Sequence, residues 1–574
     1  MTSIINKMCR LTAGFLLLTA TPSAAQGTIT TAQFGEISIG GELKTRVMKS
    51  FDRLEETKYQ PDNVFLTDEQ SGGWPGDTEG RTLLGLVMEA RATGRMPKYA
   101  DEIVRRIPAH LNAKGYMGEV YDIMNEQQLS GNGWMLRALC EYYRWKKSPQ
   151  VLDMIKSISS LFMDGKGRYA AYSLNPDDHK PSGGASGNVV SEKVGQWLFS
   201  TDVGCVFIGM DGFIQAYDIL RTPAMRPVAE EMIAKCLSMD LLGIKAQTHA
   251  TLTACRGLLR FADITGEKRY VAEAAKRFDL YVSDGMTENF ANYNWFDRYD
   301  TWTEPCAIVD SYLLAVQLWQ HTGRASYLQY AERIYYNALC HAQRANGGFG
   351  LENCPGKATN TPCLAVHADE AHWCCTMRGG EGLGWAVQYA AFKRGNEVYI
   401  PFFHDAEADL SLGKNARFAF SETTTYPFRG AVKISVNDNT AGVVSLRLAA
   451  FGWNTNFRVT VNGKAVAAQR TDGFIHVTRR FAKGDVVEMT FDECGRINGG
   501  INKNNTEASC KKVYYGPLLL GTADDSVTAI DSTQPVRRVD DRTYYVGDVK
   551  LTPIYHLLSP DVTQASGYHR RILF

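Results

Sequence analysis

No excess of either charge runs through this chain. Lysine plus arginine and aspartate plus glutamate each total 62 of 574 residues, and no long basic run stands out, so no net field recruits nucleic acid or an acidic membrane surface. Past the first 25 residues no apolar stretch reaches the length of a bilayer span, which argues against membrane insertion. A His-Glu-x-x-His motif is missing, and with it the usual zinc peptidase site. Paired Cys-x-x-Cys knuckles are missing too, which removes the common zinc ribbon. The partners left are neutral or small, and no oligomeric state is read from the sequence.

What is present begins with a leader. Lys7 and Arg10 precede the apolar LTAGFLLLTA and then Pro-Ser-Ala-Ala-Gln, the three regions of a secretory signal over residues 1–25. Export to a periplasm or to the exterior is therefore expected. Removing Cys9 with the leader leaves 12 cysteines for an oxidising space. Cys140, Cys205, Cys236, Cys255 and Cys340 lie in apolar helical contexts and read as buried small hydrophobes. Cys354 with Cys363, and Cys494 with Cys510, are close enough in sequence to be disulfides or unrelated thiols.

From about residue 40 to 395 one amphipathic segment follows another. Polar breaks, often Thr-Gly, fall near residues 92, 145, 220, 264 and 321 and mark five helical hairpins, with GEGLGWAVQYAAF as a closing helix. Hairpins must stack to bury their apolar faces, and the long loops between these ones favour a closed (α/α)6 toroid with a pocket at one end. From Val398 the period switches to alternation in VKISVNDN, VVSLRLAAF, FRVTVNGKAV, FIHVTRRF and VVEMTF, with a hairpin turn at Asn462-Gly463. The expected domains are a toroid over 26–395, a β-sandwich over 396–500, and a strand-rich segment over 501–574 that completes the sandwich or forms a second small β domain.

The chemistry concentrates in HWCCTMRGGEG, where Cys374 and Cys375 stand before a glycine-rich turn and a helix. Upstream, in TWTEPCAIVDSYLLAVQLW, Glu304 and Cys306 flank Pro305 at a helix start. One carboxylate and three thiols make a tetrahedral set of the kind zinc accepts, the alternative being buried or disulfide-linked thiols. A thiolate is also a nucleophile, favoured as the anion by zinc and by a helix amino terminus. TENFANYNWFDRYDTW supplies Glu288 as a proton donor, with Asp297 and Asp300 nearby, among the aromatic and amide groups that suit sugar rings.

These elements resemble glycoside hydrolase family 127, the β-L-arabinofuranosidase group. The likeness runs from about residue 40 to the end and is most specific over 285–385. It implies an (α/α)6 barrel with carboxyl-terminal β-sandwiches and a Zn2+ ion held by Glu304, Cys306, Cys374 and Cys375. It further implies Cys374 as nucleophile and Glu288 as acid/base in retaining hydrolysis of an L-arabinofuranoside-like sugar on an oligo- or polysaccharide. His249, in QTHATLTACRGLL, matches a pocket histidine of the family; on its residues alone it reads as a structural histidine. Trp134 and Met210 stand where further histidines are expected, so an altered pocket floor follows. Trp74, in GGWPGDTEGRTLLGL, is expected to stack on sugar with Glu79 or Arg81 at the rim, the alternative being a core tryptophan and a surface pair; for Arg378 and Glu381 a structural role is expected.

Three other readings compete. A polysaccharide lyase on the same toroid would abstract a proton with tyrosine or histidine and would need no paired cysteines. A carbohydrate-binding protein would use zinc only to brace loops. A cysteine peptidase pairing Cys374 with His372 or His249 lacks a supporting Asn or Asp element.

Overall fold

Each of the five polar breaks becomes a turn between two helices. In the computed structural model, which describes residues 28–65, 73–179, 189–354, 362–467, 469–499, 510–556, 558 and 568–574, helix α1 spans Gly41–Arg53. Five pairs follow: α2 (Asp77–Thr93) with α3 (Ala100–His110), α4 (Glu126–Lys146) with α5 (Pro149–Asp164), α6 (Val206–Leu220) with α7 (Met225–Leu237), α8 (Thr248–Thr265) with α9 (Arg269–Leu280), and α10 (Pro305–Thr322) with α11 (Ala325–Ile334). The expected closing helix is α12, Cys375–Gln388. The leader lies outside the described residues.

The local chemistry accounts for these boundaries. Pro149 and Pro305 occupy first turns, where a missing N–H costs nothing. The Thr-Gly breaks place Gly266 and Gly323 just past α8 and α10 with φ of +76° and +71°, a left-handed cap that glycine adopts without steric cost.

The even-numbered helices pack in order, α2 on α4, α4 on α6, α6 on α8, α8 on α10 and α10 on α12, and α12 returns to α2. They close into a ring. Their sequences suit that place: α2 is buried from Asp77 through Ala90 and α10 from Pro305 through Val316, whereas α1 and α9 bury only one stripe. The odd-numbered helices lie outside. A sixth outer partner, not visible as a hairpin in the sequence, is α1, which packs on α12 from the other end of the helical region.

The alternating segments form the strands expected of them, Ala431–Asn439, Val443–Ala449, Asn454–Val461, Phe474–Arg480 and Val486–Glu493. Asn462 and Gly463 both have positive φ and make the tight hairpin. These strands divide between a six-stranded and a seven-stranded sheet. The start of the described chain joins both: Thr30–Thr31 pairs with Phe392 and Lys393, and Ile37–Ile39 pairs with Ala406–Ala408. A third, separate sheet runs from Gly495–Gly499 to Val549–Pro553. Among the described residues no helix is long and apolar enough to cross a membrane.

Candidate active site

The site is built from the first turns of the inner helices. A cavity of about 550 Å³, in the range of small-molecule sites, is lined by Asp77 and Arg81 of α2, Ile208 of α6, His249 of α8, Glu304 at the start of α10, and Cys374 with Cys375 at the start of α12. All these residues lie at helix amino termini, so the ring opens its positive ends toward one cavity. Trp74, Trp302, His367 and Trp373 add aromatic wall; Trp302 and His367 stack with ring centroids 4.9 Å apart.

Glu304, Cys306, Cys374 and Cys375 converge, each offering one ligand atom within 4.8 Å of the others. The sulfurs of Cys374 and Cys375 are 3.2 Å apart, and those of Cys306 and Cys375 are 3.7 Å apart. Cys306 and Cys375 are fully buried, whereas Cys374 is partly exposed. Burial pushes the Cys306 and Cys375 thiols well above the ordinary thiol range. Glu304 behaves in the opposite sense. Burial opposes its charge, but the facing His249, with Nδ1 3.4 Å from the carboxylate, and Arg81 hold it below the usual range. Its second oxygen is buried with no hydrogen-bond partner. A carboxylate oxygen left without a donor beside three converging sulfurs fits a metal ion.

Around this cluster the wall is cationic and stiff. Arg81 reaches the Cys306 sulfur at 3.4 Å, is spanned by Asp77 at 2.5 and 3.0 Å, and lies over the Trp134 ring at 3.9 Å. Asp310 lies behind His249, 3.3 Å from Nε2. Four residues past Cys306 and Cys374, about one helical turn, Asp310 and Arg378 meet at 2.7 Å. Arg256 also pairs with Asp310, Arg137 bonds Glu381 at 2.8 Å, and Arg378 pairs with Glu381. This buried network plugs the ring below the cavity. Burial lowers Arg378 to about 9 and Arg137 to about 10, while Arg378 and Arg256 overcome burial to hold Asp310 far below the carboxylate range.

Two stretches of the chain match family models: residues 238–383 match the β-L-arabinofuranosidase GH127 catalytic domain, and residues 397–493 the GH127 middle domain. Both models are of glycoside hydrolase family 127. The matches mark the chain as a glycoside hydrolase. Its fold is shared with a solved GH127 β-arabinofuranosidase at 15% identity and TM-score 0.70, covering 95% of this chain and 98% of that one. A GH127 β-L-arabinofuranosidase from Geobacillus stearothermophilus T6 matches at 13% identity and TM-score 0.69, covering 94% and 99%. No curated protein matches the sequence.

Against the family pattern, the structure brings together Glu304, Cys306, Cys374 and Cys375, and sets His249 and Trp74 in the same cavity wall. Glu288 is different. It does not line the cavity; its side chain is buried and its carboxylate pairs with Lys512 of the carboxyl-terminal sheet. The cause is a tight turn over 286–292: Phe290 has φ of +65°, and Thr287 accepts the Ala291 amide on its hydroxyl and donates its own N–H to the Ala291 carbonyl. The turn aims Glu288 at that sheet, where Phe290 packs on Tyr514. The expected acid/base residue thus stands in an ion pair with Lys512, outside the residues that line the cavity.

Trp134 and Met210 are fully buried and lie outside the cavity lining; Trp134 stacks on His249 and is flanked by the guanidiniums of Arg81, Arg137 and Arg378 at 3.9 to 4.7 Å. Glu79 is likewise buried away from the rim that Arg81 occupies. Asp300 pairs with Arg298, and His372 packs edge-on against Trp373. The five helical cysteines are buried, Cys354 donates to the Asn292 carbonyl at 3.5 Å, and Cys494 and Cys510 are unbridged. Sequence reasoning passed over Asp202, Gln247, Asn294 and His367 in the cavity wall. For Asp202 and Gln247 a usable signal existed, since each stands in the loop just before an inner helix.

Proposed function

We propose that the protein is an exported, retaining exo-glycosidase that removes L-arabinofuranosyl or closely related units from complex plant glycans, with Cys374 as nucleophile. What carries the reading is the convergence of four donor atoms beside a cavity, with Cys374 the one cluster sulfur that is partly exposed. Glu304, Cys306, Cys374 and Cys375 would hold zinc, which when bound keeps the sulfurs as thiolates at neutral pH. The amino terminus of α12 favours the same anion at Cys374.

The residues of the chain divide the remaining work. Trp74, Trp302 and Trp373 offer faces for a sugar ring, and Gln247 and Asn294 offer amides for its hydroxyls. His249 stands between Glu304 and Asp310, 3.4 Å from one carboxylate and 3.3 Å from the other. Trp134 and Met210, packed where the family's histidines were expected, leave the floor with fewer polar groups. The inner ring supports an (α/α)6 toroid, the two larger sheets a sandwich, and the leader supports export to the periplasm or exterior.

The test is metal analysis of protein purified without chelators, joined to a screen of 4-nitrophenyl glycosides of L-arabinose, other pentoses and deoxysugars. One zinc per chain, hydrolysis of a β-L-arabinofuranoside or near relative, first product of retained anomeric configuration, and near-complete loss in Cys374→Ala are expected. Full activity in metal-free protein or in Cys374→Ala would refute the mechanism.

A further inference from the structure

The ring has a second cavity at its other end. About 330 Å³ in volume, at the lower edge of the small-molecule range, it is lined by Arg256, Arg260 and Asp263 of α8, by Gln317 and His321 of α10, and by the leading strand at Thr30–Thr31. These residues lie toward the carboxyl ends of α8 and α10, whereas the candidate active site opens at the amino ends. Arg256 belongs to the buried network that plugs the ring, so this cavity reaches the network from the opposite side.

That network is not neutral. Direct ion pairs join four guanidiniums, of Arg137, Arg256, Arg260 and Arg378, to three carboxylates, of Asp211, Asp310 and Glu381. Four positive charges against three negative leave one in excess. Arg256 and Arg260, one helical turn apart on α8, bring positive charge to the second cavity. Among the described residues that line it the one carboxylate is Asp263, whose side chain is 64% exposed and stands 3.6 Å from His321.

Two buried atoms of the wall have no hydrogen-bond partner. Arg256 is 3% exposed; its Nη1 pairs with Asp310 and lies 3.5 Å from Glu381, while its Nε finds no acceptor. The Gln317 Oε1 finds no donor. Leaving such groups unmet is costly, most of all for a charged one. A ligand that meets both accepts a hydrogen bond from a cation and donates one from a hydroxyl. We propose that this cavity binds a small hydroxylated oxyanion of the sugar-acid class, with its carboxylate on Arg256 and Arg260 and a hydroxyl on Gln317.

The surroundings favour a formed site. Gln320 donates to the Ile29 carbonyl at 3.1 Å and the Thr30 hydroxyl to the Lys393 carbonyl at 3.3 Å, which fastens the strand wall. Asp211 meets the Arg260 Nε at 3.3 Å. The carboxyl ends of α8 and α10 oppose an anion, but their partial charges fade within the last turn, and Arg256 lies about two and a half turns before Thr265. Monohydrogen phosphate offers the same pair of features as a sugar acid, an oxyanion and an O–H. Binding here is independent of the chemistry at Cys374.

Isothermal titration of the purified protein with D-galacturonate, inorganic phosphate, acetate and D-galactose, in wild type, Arg260→Gln and Gln317→Leu, tests the site. Saturable binding of one galacturonate or one phosphate per chain is expected, the tighter of the two naming the source, with acetate weaker. Each variant should weaken that binding by about 10–100-fold. Both should keep bound metal and the hydrolysis of whichever nitrophenyl glycoside wild type cleaves, so failure here and failure of the glycosidase reading are told apart. No saturable binding of either anion at millimolar concentration, binding undiminished in both variants, or galactose or acetate matching galacturonate and weakened by the same variants would overturn the proposal. Should either variant melt below wild type, crystals of wild type soaked in galacturonate decide: density bridging Arg256 and Gln317 supports the site, and density confined to the other cavity, or none, overturns it.

Discussion

Glu288 shows how a single side chain acquires its role from what it meets. Its carboxylate and the Lys512 ammonium form a buried pair between the helical region and the third sheet. Removing one partner strands the other charge, so Glu288→Gln and Lys512→Met should each cost about 3–5 kcal/mol, whereas the double variant should recover most of it. A double-variant cycle from denaturant midpoints measures this; additive losses would show that the pair is not coupled. The metal set was legible because its four residues come from two short stretches, Glu304-Pro305-Cys306 and Cys374-Cys375, each at a helix start where the backbone direction is settled locally. The direction of Glu288 was not, since it depends on the Phe290 turn and on a lysine from the far end of the chain.

At the scale of elements, the inner helices cross closely through glycine. A Cβ on Gly133 of α4 would come within 2.3 Å of the Gly209 Cα on α6, and one on Gly212 within 2.2 Å of the Gly133 carbonyl oxygen. Backbone faces backbone there, so no side chain can yield. Gly133→Ala should therefore push α4 from α6, at a cost of about 1–3 kcal/mol or more, and displace the Trp134 floor with it. Lower thermal stability together with weakened catalysis is the expected reading, and an unchanged melting temperature would refute the contact. Five helix pairs were readable from Thr-Gly and similar breaks, because a cap is a local event. The pairing of α12 with α1 was not, because ring closure joins elements remote in sequence and leaves no periodic trace.

For the molecule as a whole, the join between helices and sheets carries a buried acid. Glu332 of α11 sits beside Tyr426 and Trp453 of the β region, and burial raises its carboxyl to about 8. The folded state then holds a proton that the unfolded chain releases near the ordinary carboxylate value. The stabilisation from this group is complete below about 4.5 and is lost as pH rises toward about 8, by up to ~1.4 kcal/mol per pH unit. Glu332→Gln should flatten that slope in denaturation curves taken between pH 5 and 8; an unchanged slope would show that the group is ionised throughout. The alternating strands were legible from their period. The edge pairings made by Thr30–Thr31 and Ile37–Ile39 were not, since strands of two and three residues carry no pattern.

Those two short strands have a consequence for how the gene can be cut. Because residues 30–39 complete sheets whose other members begin at Phe392, neither the helical half nor the β half is self-sufficient. A fragment ending near residue 395 would keep the partner of Thr30–Thr31 but leave Ile37–Ile39 unmatched, and one starting there would present the bare rim of Ala406–Gly413 to its neighbours. On a ribosome the first strands to emerge must wait for nearly the whole ring to be synthesised before they find their places.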